Sequence, residues 1–153
     1  MSTTSISIPT SAYAWETGAF GRATVLAGRT FFSLIFIMAA LGHFTQAEIG
    51  YAAQAGVPLA SIAVPLSGVI ALAGGLSILL GYQARLGAWL LVLFLVPVTV
   101  MMHNFWAMKD VGEALMHQAM FFKNVGLMGG ALLITQFGAG PWSLDSRKIG
   151  RQF

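Results

Sequence analysis

Apolar residues run along this chain in blocks too long for a water-soluble fold. Three stretches carry no charged residue and are long enough to cross a hydrocarbon core, which takes about 20 residues of helix: Leu59–Ala84, Leu86–Met108 and Asn124–Leu144. A fourth, Thr30–Ala47, extends backward through Val25-Leu26-Ala27 provided that Arg29 snorkels to the interface along its aliphatic stem. Helices satisfy every backbone polar group within such a segment, and the pattern lacks the alternating segments of about 10 residues that a membrane barrel shows. The sequence therefore predicts an all-α membrane protein, a bundle of four transmembrane helices over residues 23–145. Residues 1–22 are Ser/Thr-rich and lack the basic start and apolar core of a cleaved signal peptide. They are expected to form a flexible cytoplasmic tail that leads into a short interfacial helix around Ala12–Ala27. Residues 146–153 form a basic tail.

Charge orients the spans. Arg22, Arg29, Arg85, Arg147, Lys148 and Arg151 fall on one side, whereas the other has Lys109 and Lys123 together with Glu48, Asp110 and Glu113. The positive-inside rule then places both termini in the cytoplasm and the loops at 45–57 and 105–118 outside. Trp15, Trp89 and Trp142 fall near the inner interface and Trp106 near the outer one, as in an aromatic belt.

Composition narrows the function classes. Of 153 residues 57% are hydrophobic and 8% charged, against about 25% charged in soluble domains. That excludes a soluble domain and a disordered chain, and a net charge of +3 spread along the sequence forms no basic stripe for nucleic acid. The absence of cysteine removes disulfides, thiolate catalysis, Fe–S clusters and CxxC chemistry. Small residues recur at helix-packing spacing in Gly126–Gly130 and Ala71–Gly75, with Gly68 one turn earlier; they read as packing within one chain or as the face of a homo-oligomer. Pro65 and Pro97 interrupt two spans, as kinks or as the lining of a polar cavity. Gly42-His43-Phe44 and Met102-His103-Asn104-Phe105 each close a helix followed by one with a double glycine. This reads either as two tandem parallel helical hairpins or as chance agreement between glycine-rich segments.

The polar residues gather at one level, the outer ends of the spans: His43, Gln46 and Glu48; His103 and Asn104; His117, Gln118, Lys123 and Asn124. A lysine this far inside a membrane helix either snorkels to headgroups or lines a watery pocket, paired with Glu48 or Glu113. His117, Phe121, Asn124 and Met128 share one helical face. Convergence of His43, His103 and His117 would suit zinc or copper, with Met101, Met102, Met108, Met116 and Met120 nearby, but no tight ligand spacing supports it. Histidines that hydrogen-bond backbone or headgroups are the plainer reading, and no metal site is assigned. A pocket of His43, His103, Asn104, His117, Lys123 and Asn124 between apolar walls would also suit the head of a quinone.

The order of several short motifs resembles the DoxX family of small four-helix bacterial membrane proteins. These are Gly28-Arg29 before a first helix ending Gly42-His43-Phe44, then Gly56-Val57-Pro58, then Gly74-Gly75-Leu76-Ser77-Ile78 through Gly81 followed by Arg85. The His103 region, Phe122-Lys123-Asn124, Gly129-Gly130 and Gly140-Pro141-Trp142-Ser143-Leu144-Asp145 complete the series, over roughly 25–145. Members of that family often carry a glutamate shortly before the double glycine, where this chain has Ala71. The resemblance implies an inner-membrane protein associated with a respiratory or redox complex and with a membrane or periplasmic redox partner. Three functions compete: a quinone-binding, non-catalytic subunit of an oxidoreductase; an accessory or assembly protein; and a small transporter or metal-handling protein. No flavin fingerprint, haem motif or thiol pair is present, so no intrinsic cofactor is expected.

Overall fold

The computed structural model describes residues 18–149. Its elements are α1 (Ala19–Gly42), α2 (Gln46–Gln54), α3 (Ala60–Leu80), α4 (Ala84–Met102), a 3-10 turn (Phe105–Ala107), α5 (Val111–Phe137) and α6 (Leu144–Ile149). Among the described residues there is no strand. Three segments, Ala19–Gly42, Ala60–Leu80 and Ala84–Ala107, are long and apolar enough to cross a membrane.

The long helices pack in a row: α1 on α3, α3 on α4 and α4 on α5, with α2 lying against α3. Their shared core is built from Phe36, Ala40, Ala71, Ile78, Ala88, Leu91, Leu95 and Ala131. A smaller cluster of Ala52, Ala60 and Val64, flanked by Met102, seats α2. Small residues set the spacing, as expected where lipid offers no hydrophobic drive for association. A Cβ on Gly74 would lie 2.9 Å from the Gly87 carbonyl oxygen, so α3 and α4 touch backbone to backbone there. The glycines of α3 thus pack within the chain. In α5 a Cβ on Gly130 would lie 2.9 Å from the ring of Phe32, whereas Gly126 and Gly129 face open space.

Several boundaries differ from those the apolar blocks predicted. The first span runs 19–42 rather than 30–47, because Thr45 starts a separate helix: its side chain accepts from the Glu48 backbone N–H at 3.3 Å. The expected outer loop at 45–57 is thus largely α2. The described part of the expected interfacial helix, from Ala19 onward, is continuous with α1; the rest, with Trp15 and the Ser/Thr-rich tail, lies outside the described residues. The last long helix begins at Val111 rather than Asn124, since Asp110 caps it by accepting from Glu113 N–H at 2.8 Å. It stops at Phe137, where Gly138 turns the chain with φ +75°. Four long helices are present, but α5 carries Glu113, His117 and Lys123 in its first half.

Arg29 does not snorkel. It is 7% exposed, and its guanidinium donates to the carbonyls of Ala139 at 3.1 Å and Trp142 at 3.0 Å. The segment after α5 folds back over that end of α1 and offers the guanidinium two carbonyl acceptors.

Candidate functional site

At the end of the bundle opposite the chain termini, the helices stand apart around a cavity of ≈ 440 Å³. Its walls come from α1 (Phe36, His43), α3 (Val64, Ser67), α4 (Phe94, Pro97, His103) and α5 (Lys123, Asn124, Leu127), and α2 contributes Glu48 and Tyr51. The volume is in the range of small-molecule sites, and the mix of an apolar body with a few polar groups is their usual chemistry. Pro97 is part of the lining, the less common of the two roles expected for it.

Of the six residues singled out from sequence, four line this space: His43, His103, Lys123 and Asn124. His117 is 7% exposed and stands behind His103, with the two Nδ1 atoms 3.4 Å apart and the rings at 5.4 Å between centroids. Its Nδ1 also lies 3.0 Å from the Met102 carbonyl oxygen. Asn104 is not in the lining; it precedes the 3-10 turn and accepts the Ala107 N–H through its backbone. His43 packs edge-on to Phe94 at 5.7 Å and places Nδ1 3.1 Å from the Ala39 carbonyl. The three histidines therefore split into a pair and a single, and among the described residues no three His, Cys, Asp or Glu side chains group as metal ligands.

Asn124 is the most informative member. It is 4% exposed, lies on the cavity wall, and its side chain has no hydrogen-bond partner among the described residues. Its polar atoms are not among the fully buried ones, so the carboxamide is open to whatever fills the cavity. Lys123, one residue earlier, also lines the cavity, and no ion pair joins it to Glu48 or Glu113 among the described residues. The expected pairing of Lys123 with an acid is thus not found.

Sequence reading missed α2, and with it Tyr51 as a lining residue. The signal was present: Thr45-x-x-Glu48 has the spacing of a helix-capping box. Phe36 and Phe94, which form the apolar wall, had no signal beyond their place in apolar blocks.

The fold and this site define a helical integral membrane protein with a ligand-sized cavity at one end of its bundle. The chain belongs to the SURF4 family, whose model matches residues 22–150. It is similar to inner membrane protein YphA of Escherichia coli (29% identical over 137 residues, 87% of this chain and 96% of that protein). It is likewise similar to inner membrane protein YqjF of Escherichia coli (31% over 123 residues, 79% of this chain and 88% of that protein). ER-derived vesicles protein ERV29 of Saccharomyces cerevisiae matches at 28% identity over 80 residues, 52% of this chain but only 26% of that longer protein. No solved structure matches.

These matches correct the expected DoxX membership. The motifs that suggested it are now seen to be packing and turn devices: Gly68, Gly74 and Gly130 at helix contacts, Gly81 at a left-handed helix end, Asp145 on backbone N–H groups. Close-packed membrane helices need such residues whatever their family. The implied redox complex rested on that resemblance and has no support in the matches.

Proposed function

We propose that this protein is a four-span inner-membrane binding protein that holds a small, mostly apolar molecule in the cavity, with the ligand's polar head against Lys123 and Asn124. The observation that carries this reading is the Asn124 carboxamide on the cavity wall, which has no hydrogen-bond partner among the described residues and whose polar atoms stay accessible from the cavity. Supporting the fourth span, α5 has 27 residues, roughly 40 Å at 1.5 Å per residue. Its most polar interior residues, His117 and Asn124, are buried against neighbours rather than presented to lipid. Supporting cytoplasmic termini, Arg22, Arg85 and Arg147 lie at the end with the termini, and Lys109 and Lys123 at the cavity end. A quinone remains one neutral head that Lys123 and Asn124 would satisfy, as donors to its carbonyls.

The test is protein purified in mild detergent and examined by native mass spectrometry and thermal unfolding, beside Asn124→Leu. The expected outcome is a small lipophilic adduct on the wild type, lost in the variant. The ligand-free variant should be about as stable as wild type, because the amide has no partner within the protein to lose. A variant destabilised by about 1–3 kcal/mol would mean that Asn124 has a structural partner, and the binding reading fails. No adduct on the wild type leaves the accessory-protein reading.

A further inference from the structure

The cavity's polar groups are sorted by side. On the α4–α5 side stand the Lys123 ammonium and the Asn124 carboxamide, with the His103 ring beside them, so that side is positive. On the α1–α2 side, a carbonyl oxygen accepts only, so His43 Nδ1 donates to Ala39 O at 3.1 Å, which leaves Nε2 of the neutral ring as an acceptor, and Glu48 adds a carboxylate. Lys123 and Glu48 line one cavity without forming an ion pair. Their opposite charges face one cavity and are not paired with each other.

Resting on the ligand-binding reading above, we infer that the ligand is a single-chain zwitterionic amphiphile. Its anion, a phosphate or carboxylate, sits at Lys123, Asn124 and His103, and its primary ammonium donates to Glu48 and His43. The chain has a place to run. Ile35 and Ala39 of α1 and Leu127 of α5 line the cavity on the two helices that end the row, and below them the Phe32 ring rests on Gly130. On this inference the chain runs between α1 and α5 above that contact and reaches the bilayer, from which such an amphiphile is delivered.

Four oleoyl probes separate the contributions: lysophosphatidylethanolamine (anion and donor ammonium), lysophosphatidylcholine (anion and non-donating ammonium), lysophosphatidic acid (anion alone) and monoolein (neutral). Binding to the full chain in detergent is read by native mass spectrometry. The ethanolamine probe should bind at least tenfold tighter than monoolein and several-fold tighter than the other two. Lys123→Gln should bring it down to the monoolein level. Glu48→Gln should erase its advantage over lysophosphatidic acid while monoolein binding, the control for an intact cavity, stays unchanged. If all four probes bind alike, or lysophosphatidic acid binds best, the zwitterion inference is overturned and the cavity reading stands. If neither these probes nor a quinone binds, both are overturned.

Discussion

Arg29 stands two turns and more into α1, yet its charge is settled inside the protein: two backbone carbonyls, those of Ala139 and Trp142, take its guanidinium. The acceptors come from a segment more than a hundred residues away that has no regular structure. Trp142 is held there in the left-handed region, at φ +54°, a conformation that costs a non-glycine residue about 1–2 kcal/mol. Arg29 is therefore a clasp that holds a strained turn closed. Charged hydrogen bonds of this kind contribute about 1.5–3 kcal/mol each, and removing one partner leaves the others buried and unsatisfied. Arg29→Met should lower unfolding stability in detergent by about 2–4 kcal/mol while leaving cavity ligand binding in place, since the contact lies at the opposite end of the bundle. Loss of ligand with unchanged stability would show that the two ends are coupled in a way the packing does not explain. Arg29→Lys should recover part of the loss, because an ammonium reaches one carbonyl but lacks the planar fork that spans both.

The start of α4 shows why some elements were legible in the sequence and others were not. Its first two free N–H groups, on Gln83 and Ala84, are taken by the two carboxylate oxygens of Asp145 at 2.9 and 3.0 Å, and Asp145 N–H in turn donates to Gly81 O at 2.7 Å. Gln83 is itself left-handed, at φ +49°. Nothing local announces this cap, because it comes from the far end of the chain; in the sequence Asp145 merely closes the last apolar block. Asp145→Ala should cost about 1–2 kcal/mol and speed hydrogen exchange at Gln83 and Ala84 relative to the core amides of α4. Unchanged exchange there would mean that water replaces the carboxylate freely. By contrast, the existence of α1, α3 and α4 was plain, since a bilayer admits only long apolar helices and the blocks are long. The helix α2 was missed and the start of α5 misplaced for the same reason. A criterion that asks for absence of charge cannot see Glu48, or Glu113 and Lys123, inside a helix, although Thr45 and Asp110 mark both N-termini. Within the site, the level at which His43, His103, Lys123 and Asn124 meet was legible from helix ends alone. That Asn104 turns away and His117 stands behind His103 depended on how the chain leaves α4, which no periodicity encodes.

The bundle's position in the membrane rests on whether α5 crosses it. Its first half is polar enough to lie along a surface, but a surface helix would turn its polar face outward. Here His117 and Asn124 are buried against the rest of the protein, and the exposed positions are mostly apolar, among them Leu115, Met116, Phe122, Val125 and Leu133, with Glu113 and Lys123 exposed in the first half. A largely apolar exterior over polar interior groups is the arrangement of a spanning helix that lines a cavity. A spanning α5, as proposed above, puts Lys109, just before it, and Arg147, after it, on opposite sides of the membrane. Since the chain has no cysteine, single substitutions Lys109→Cys and Arg147→Cys report on side without background. Neither substitution threatens the orientation: the first removes a cation from the cation-poor end, and the second leaves Arg22 and Arg85 at the cation-rich one. In intact cells a membrane-impermeant maleimide should label Lys109→Cys at once and Arg147→Cys only after permeabilisation. Labelling of both in intact cells, or of neither, would place the two ends of α5 on one side. The cavity would then open against a surface-lying helix, and an amphiphile arriving between α1 and α5 would meet headgroups along its whole length instead of an acyl-chain corridor.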